Sequence, residues 1–298
     1  MRNSIEEPTI VYFSGTGNTA CVARELRNAF RKQGIEPHFT SLEEGSASIS
    51  SGSDFLIVLF PVYCFDAPTP LFEFVETLAT HKGLRTAVIS VSGGGDMVAN
   101  RACRVRLIKK LERKGCSVVY ETMLTMTSNF ATATPLPAAA ALLRVLPEKC
   151  AALVEDLLAE KKLRTNAPLI DRLGAQLGLL ERSRFGQGAF GRHIRAESAC
   201  NSCGWCARNC PRKNVSLETG IPVFGRRCVM CFRCLYGCPH KALVAGYASF
   251  FLIKEGYSFE KILEYTHKHE GKEEMLHLKG FAWKGVREYL GMSKNALT

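Results

Sequence analysis

Residues 200–211 read CNSCGWCARNCP and residues 228–239 read CVMCFRCLYGCP, so the pattern C-x2-C-x2-C-x3-C-P occurs twice, 28 residues apart. Eight of the thirteen cysteines lie in this short window. The other five, Cys21, Cys64, Cys103, Cys116 and Cys150, are scattered without any ligand spacing. Any fold for this chain must gather two sets of thiols, and what gathers them decides the rest. Disulfides need an oxidising compartment. The start, MRNSIEEPTIVYF, has acidic residues where a secretory signal would have an apolar stretch. The expectation is a cytoplasmic protein with reduced thiols, most of the scattered ones small buried residues. Cys64 is the exception, being placed to be reactive.

Zinc is one alternative, but it favours two separated C-x-x-C pairs. Here a third cysteine follows each pair at the same step, twice. The spacing resembles that of bacterial-type ferredoxins, in which three thiolates of one run and the fourth of the other hold each four-iron four-sulfide (4Fe-4S) cluster. The resemblance implies that Cys200, Cys203, Cys206 and Cys238 hold one cluster, and Cys228, Cys231, Cys234 and Cys210 the other. Pro211 and Pro239 then turn the chain away after the fourth ligand. Trp205, Met230, Phe232 and Tyr236, set between the ligands, either shield the clusters from water or form the core of a small domain.

The formal charge of +11 raises nucleic acid as a partner. Residues 200–246 carry seven Lys and Arg against one Glu, whereas residues 1–135 sum to only +1. The excess therefore follows the cysteines, where two anionic clusters would offset it. Arg208, Arg212, Lys213, Arg226, Arg227 and Arg233 read as counter-charges or a docking rim. No nucleic-acid partner is expected. Nor is a membrane span, because the longest apolar stretch, at 138–160, holds Arg144, Pro147, Glu148 and Lys149.

At the other end of the chain, TIVYFSGTGNT (9–19) joins an apolar β run to a helical pattern with Ala20, Val22, Ala23, Leu26, Ala29 and Phe30 on one face. The junction offers backbone N–H groups and a helix N-terminus to an anion. Ser14, Thr16, Asn18 and Thr19 add polar side chains, and Gly15 and Gly17 allow close approach. Neither a triphosphatase loop nor a G-x-G-x-x-G fingerprint is present. Ser14-Gly15-Thr16-Gly17-Asn18-Thr19 resembles the phosphate loop of flavodoxins, S/T-x-T-G-x-T, which binds FMN.

Two further apolar runs read as buried parallel strands. DFLIVLF (54–60) delivers PVYCFDAPTP, and LRTAVISV (84–91) delivers SGGGDM. Ligands of open α/β sheets bind beyond such carboxyl ends. Pro61, Tyr63 and Phe65 become candidates to line or stack on the flavin ring, or else are ordinary loop packing. Ser92, Gly93, Gly94 and Gly95 reach its polar edge, or else form a flexible turn. A helix is expected over about 98–114, a strand over 116–126 and a long helix over 138–162. MTSNF (126–130) receives no contact.

The whole chain resembles fused flavodoxin–ferredoxin proteins of anaerobes. That resemblance implies an α/β flavodoxin-like, doubly wound five-stranded parallel sheet (order 2-1-3-4-5) over 1–163, then a small α+β two-cluster ferredoxin domain over 200–246. Residues 164–199 are a basic connector in which FGQGAFGRH reads as a hinge or an ordered loop. Residues 247–298 read as solvated helices, or else the aromatics of their closing FAWKGVREYL (281–290) dock back on the body. The implied function is electron transfer between FMN and two 4Fe-4S clusters and on to a redox partner protein. A flavin-dependent reductase of a quinone, nitro compound, pigment or flavin is the alternative. A redox sensor is weaker, with no helix-turn-helix visible. No acid–base constellation marks a catalytic residue.

Overall fold

The computed structural model describes residues 5–43, 48–97, 100–182, 186–218, 220–270 and 278–292. The first 160 residues alternate strand and helix: β1 (Pro8–Tyr12), α1 (Asn18–Lys32), β2 (His38–Ser41), β3 (Phe55–Pro61), α2 (Thr69–Thr77), β4 (Leu84–Ser92), α3 (Val105–Arg113), β5 (Cys116–Thr125) and α4 (Leu136–Leu158). The five strands are all parallel, in the order β2-β1-β3-β4-β5. This is the doubly wound, flavodoxin-like arrangement, whose strand order reverses between β1 and β3.

Alternation along the strands builds a core on each face. Ile57 and Leu59 of β3 meet Val22, Leu26 and Phe30 of α1 and Leu146, Leu153 and Leu157 of α4. Leu56, Val58 and Phe60 meet Leu71 and Val75 of α2 and Leu107, Ile108 and Leu111 of α3. Because both faces are covered, β3 reads as a continuous apolar run and is buried from Phe55 to Phe60. The edge strand β2, HFTS, has only Ser41 buried, and its four residues carry no apolar signature. A 3₁₀ turn at Asn100–Ala102 precedes α3. The first two residues of the helix expected from 98 lie outside the described residues.

The remaining elements are α5 (Leu169–Arg182), α6 (Gln187–His193), β6 (Arg195–Ala196), α7 (Trp205–Arg208), β7 (Val215–Ser216), β8 (Val223–Phe224), α8 (Arg233–Gly237), β9 (Leu243–Val244), α9 (Phe259–Lys268) and α10 (Lys284–Tyr289). Antiparallel pairs β6–β9 and β7–β8 frame the cysteine-rich segment as a small α+β unit. The connector is more structured than its sequence pattern indicates. Leu163 extends β5 through hydrogen bonds to Val119 and Glu121. FGQGAFGRH, whose Phe185 lies outside the described residues, forms helix α6. Its Gly188 and Gly191 bring the helix onto the backbone at Arg226 and onto Cys228, and a Cβ on Gly191 would stand 2.5 Å from that of Cys228. These glycines serve close approach, as a hinge would not.

Residues beyond 247 are likewise integral: of the two readings, docking of the FAWKGVREYL segment on the body matches the structure and solvated helices do not. Ile253, Tyr257, Phe259 and Ile262 are buried with α1 and α4, and Val286 of α10 is buried with Ala138 and Leu142. Ser258 caps α9 by accepting a hydrogen bond from the Lys261 amide at 3.2 Å. Segments 271–277 and 293–298 lie outside the described residues. No described helix is long and apolar enough to cross a membrane.

One buried ion pair ties the sheet to the connector. Arg104 donates to Glu121 at 2.9 Å and to the Ser90 hydroxyl at 2.7 Å, and Glu121 also accepts from the Thr165 amide at 2.9 Å. Arg104→Ala removes the nearer guanidinium from the buried Glu121, leaving it only Arg164 at 3.4 Å and the Thr165 amide, and is expected to cost about 3 kcal/mol, since removal of one partner of a buried pair is severe. Urea unfolding of the variant against the wild type measures this.

Candidate functional site

The β1–α1 junction positions the first group of residues. Gly17, at φ 107°, begins α1 in a left-handed conformation, and no side chain caps the helix. Its leading N–H groups are therefore open to an anion. Ser14 and Thr19 are buried, and the hydroxyls of both lack any hydrogen-bond partner. Buried polar groups are normally satisfied. Two orphaned hydroxyls at one helix N-terminus mark a place for an oxygen-rich ligand.

Ser14, Gly15, Thr16, Asn18 and Thr19 line one recess together with Pro61, Tyr63, Gly93, Met126, Thr127 and Asn129. The last three belong to MTSNF, to which the sequence assigned no contact. Asn129 donates to the Thr16 hydroxyl at 2.7 Å. Asn18 donates to the Thr127 carbonyl at 2.7 Å and accepts from its hydroxyl at 2.8 Å. Tyr257, just before α9, reaches Asn18 at 3.1 Å and the Thr127 hydroxyl at 2.7 Å. Burial pushes the Tyr257 hydroxyl up to about 12, so it stays protonated and able to donate. Only the fold reveals this partner, 239 residues from Asn18.

Beyond the recess lies a cavity of about 280 Å³ lined by Tyr63, Cys64, Phe65, Ser92, Gly93, Gly94, Met97, Asn100, Ser128, Asn129, Phe130, Met230 and Phe232. Three successive strand ends and the second cysteine run thus surround one space. Tyr63 and Asp66 exchange both backbone hydrogen bonds at 3.0 Å, enclosing Cys64 and Phe65 at φ 49° and 57°. Two non-glycine residues with positive φ make a turn of type I′ geometry, at roughly 1–2 kcal/mol each. Asp66 anchors the turn through Arg106 at 2.5 Å and the Ala67 amide at 2.8 Å.

Of the two aromatic candidates, Phe65 is exposed at the cavity edge. Tyr63 lines both spaces, but its hydroxyl abuts Gly15 and its ring meets Phe13 edge-on at 6.4 Å. It fills the angle between the β1–α1 loop and the cavity. Burial, and then the neighbouring Cys231, hold its hydroxyl well above the ordinary tyrosine range. Gly93 lies against Ser128, whose Cα would stand 2.6 Å from an added Cβ. Gly95 faces Gly285 of α10, whose carbonyl carbon would stand 2.8 Å from an added Cβ, and the Gly94 carbonyl lies against the same glycine, while a Cβ on Gly94 would meet the Met97 side chain. The glycine loop is thus held between β5 and the C-terminal helix, unlike a flexible turn.

The eight cysteines of the two runs fall into two groups. Cys200, Cys203, Cys206 and Cys238 line one cavity with Trp205, Leu217, Pro222 and His240. Cys210, Cys228, Cys231 and Cys234 line another with Phe190, Ile194, Phe224 and Phe232. The sequence repeat is also a backbone repeat. Ser202 and Gly204 flank Cys203 at φ 58° and 74°, and Met230 and Phe232 flank Cys231 at 52° and 60°. Lys213 and Lys241, each three residues past the fourth cysteine, have φ 45° and 48°. Their successors Asn214 and Ala242 direct amides at Cys210 and Cys238 sulfur, both at 3.4 Å.

None of the thirteen cysteines is in a disulfide. Among the described residues, no group of three or more His, Cys, Asp or Glu is arranged to hold a single metal ion. Each of the two cavities is lined by four thiols, three from one run and one from the other. Burial pushes the Cys228 thiol up to about 12 and that of Cys231 to about 11.

The two cofactor-sized regions are not separate. Cys231 lies against Gly15, where an added Cβ would stand 2.9 Å from that of Cys231. Arg233 donates from Nε to the Gly15 carbonyl at 2.5 Å, from Nη2 to that of Ser14 at 2.7 Å and from Nη1 to Glu43 at 2.5 Å. Arg212 forms a two-pronged pair with Glu73 at 2.6 and 2.7 Å. Tyr236 donates to the Asn129 carbonyl at 2.9 Å.

Solved structures similar to this chain include a flavodoxin from the domain Archaea (13% identity, TM-score 0.36, 51% of this chain and 98% of that one). The two-electron reduced Megasphaera elsdenii flavodoxin aligns at 19% identity, with a TM-score of 0.34, over 49% of this chain and 98% of its own. General stress protein 14 of Treponema denticola, in complex with FMN, aligns at 14% identity and TM-score 0.37, over 51% of this chain and 99% of its own. No protein-family model matches the sequence, and no curated protein matches it. The fold assignment rests on the strand order itself.

The contact at Gly15 is open to a direct test. Its φ is not positive, so Gly15→Ala introduces no backbone strain, only a methyl against Tyr63 and Cys231. Overpacking of this kind is expected to cost about 1–3 kcal/mol. It should also raise the rate of proteolytic cleavage between the two units, read by limited proteolysis and mass spectrometry.

Proposed function

We propose that this chain is an electron-transfer protein that binds FMN at the carboxyl edge of its sheet and a 4Fe-4S cluster in each of its two cysteine-lined cavities. The observation that carries the reading is the direct contact of the second cysteine run with the β1–α1 loop: Cys231 on Gly15, and Met230 and Phe232 in the wall of the 280 Å³ cavity. FMN accepts two electrons together and releases them singly, while a cluster passes one.

The chain's own residues supply the rest. The unpartnered Ser14 and Thr19 hydroxyls and the open α1 terminus suit the FMN phosphate. The strained Cys64–Phe65 turn and the Ser92–Gly94 backbone suit the edges of the ring. Cys228, Cys231, Cys234 and Cys210 form the inner cluster site, next to the flavin cavity. Cys200, Cys203, Cys206 and Cys238 form the outer one, where Cys203 is exposed. Solvent contact at the outer site fits exchange with a redox partner, and burial at the inner site fits internal transfer.

A reductase acting on a small organic molecule needs room for substrate above the ring. The cavity, at about 280 Å³, sits at the lower end of small-molecule sites, roughly 300–1,000 Å³, and the flavin ring alone would occupy much of it. Met230 and Phe232 wall it further. That limit favours the carrier.

Anaerobic reconstitution with iron, sulfide and FMN tests the proposal. About eight irons, about eight sulfides and one FMN per chain are expected, with flavin reduction linked to bleaching of cluster absorbance in a stepwise reductive titration. Tight zinc in place of iron, or no retained flavin, would falsify it.

A further inference from the structure

Residues 230–234 belong to both cofactor regions at once. Met230 and Phe232 face the flavin cavity, Cys231 and Cys234 line the inner cysteine cavity, and Arg233 grips the β1–α1 loop. The Arg233 guanidinium spends its fork on four acceptors: the carbonyls of Ser14 and Gly15, the Asn209 carbonyl at 3.3 Å and the Glu43 carboxylate. A peptide unit is planar and trans, so its C=O and N–H point in opposite directions. Holding the Ser14 and Gly15 carbonyls therefore directs the Gly15 and Thr16 amides to the far side of the loop from Arg233. The donors available to a phosphate thus depend on where Arg233 sits.

Its position is set in turn by the cysteines on either side of it. Positive φ at Met230 and Phe232 bends the segment around Cys231, a conformation that costs free energy in non-glycine residues. Thiols gathered on a common core supply a restraint that free thiols lack. We infer that Arg233 couples the two sites, as the positioning residue through which ligation by Cys231 and Cys234 shapes the phosphate loop, so that FMN and the inner cluster each bind more tightly when the other is present. The coupling rests on the occupants proposed above, and it must be reciprocal.

The test compares the wild-type chain with Arg233→Gln and Arg233→Lys, each loaded anaerobically with iron and sulfide. Fluorescence titration gives the affinity for FMN and, separately, for riboflavin, which lacks the phosphate. The rate of iron loss to a chelator is followed with and without FMN. Arg233→Gln is expected to weaken FMN about tenfold or more, leave riboflavin within about twofold, and remove the protection of iron by FMN. Arg233→Lys, which keeps the charge but loses the fork, recovers only part of the FMN affinity.

Unchanged FMN affinity in Arg233→Gln, equal loss for FMN and riboflavin, or iron loss indifferent to FMN in the wild type overturns the coupling while the cofactor assignment stands. Failure of the wild type to take up iron or FMN removes the assignment and the coupling together. Should Arg233→Gln fail to load iron, Glu43→Gln, which releases one of the four acceptors, is expected to show a smaller loss confined to FMN. No such loss overturns the coupling.

Discussion

Everything distinctive in this molecule depends on one arginine lying across two backbone carbonyls. Arg233 is half-buried, and its donors meet acceptors that would otherwise point at nothing once the cysteine-rich unit covers the β1–α1 loop. Charge-assisted hydrogen bonds in such partly dry surroundings outweigh those at open surface. The pair with Glu43 is of the same kind, with side chains only 22% and 18% exposed. Arg212 and Glu73 repeat the arrangement a short distance away. Two arginines of one unit thus meet two glutamates of the other, and a flat contact becomes a fixed register. Register matters because it sets how the inner cysteine cavity lies against the β1–α1 loop.

The same region accumulates backbone strain. Ser202, Lys213, Met230, Phe232 and Lys241 all adopt positive φ without being glycine, as do Cys64 and Phe65 beside the 280 Å³ cavity. Conformations of this sort persist only where the surroundings over-determine them. In the cysteine runs the compensation is local and duplicated: just after the bends at Lys213 and Lys241, Asn214 and Ala242 aim their amides at the sulfurs of Cys210 and Cys238, and Trp205 of the first run packs on Gly237 of the second. A stack of aromatic rings, Phe190, Phe232, Phe130 and Phe251, then carries the packing from the inner cysteine cavity to the loop after β5. Strain, shielding and contact between units reside in the same few residues.

The parallel sheet was legible in the sequence because β1, β3 and β4 are continuous apolar runs that end in glycine, proline and hydroxyl residues, and buried strands leave that signature. The cysteine repeat was legible because ligand spacing is a local property. Edge strand β2 left no trace, being short and mostly uncovered. Tyr257, Asn129 and Gly285 were invisible as site residues, since each reaches the loops through tertiary contact across more than a hundred residues or through the mere absence of a side chain. Gly188 and Gly191 were open to two meanings, because glycine permits both flexibility and close approach and only the neighbouring Cys228 decides between them. Arg233 was readable as a counter-charge, yet its acceptors are carbonyls, which no sequence pattern announces.

The charge distribution completes the picture. The sheet domain is nearly neutral, and the basic excess sits in the cysteine-rich segment. Were the two units separate molecules, recognition would rest on long-range attraction between opposite net charges, which salt screens. In one chain no encounter is needed, and the domain has no use for a strongly acidic surface. Short-range pairs suffice. Arg233–Glu43 is largely withdrawn from solvent, so added salt screens it weakly, whereas Glu73 is 52% exposed and leaves its pair with Arg212 more open to screening. The basic residues left outside these pairs, among them the exposed Arg208, Arg226, Arg227 and Lys241, lie on the cysteine-rich unit and remain available for electrostatic contacts with the outside. The register between the two units thus rests on a few short-range contacts at the β1–α1 loop and at α2 rather than on the field around the flavodoxin-like domain.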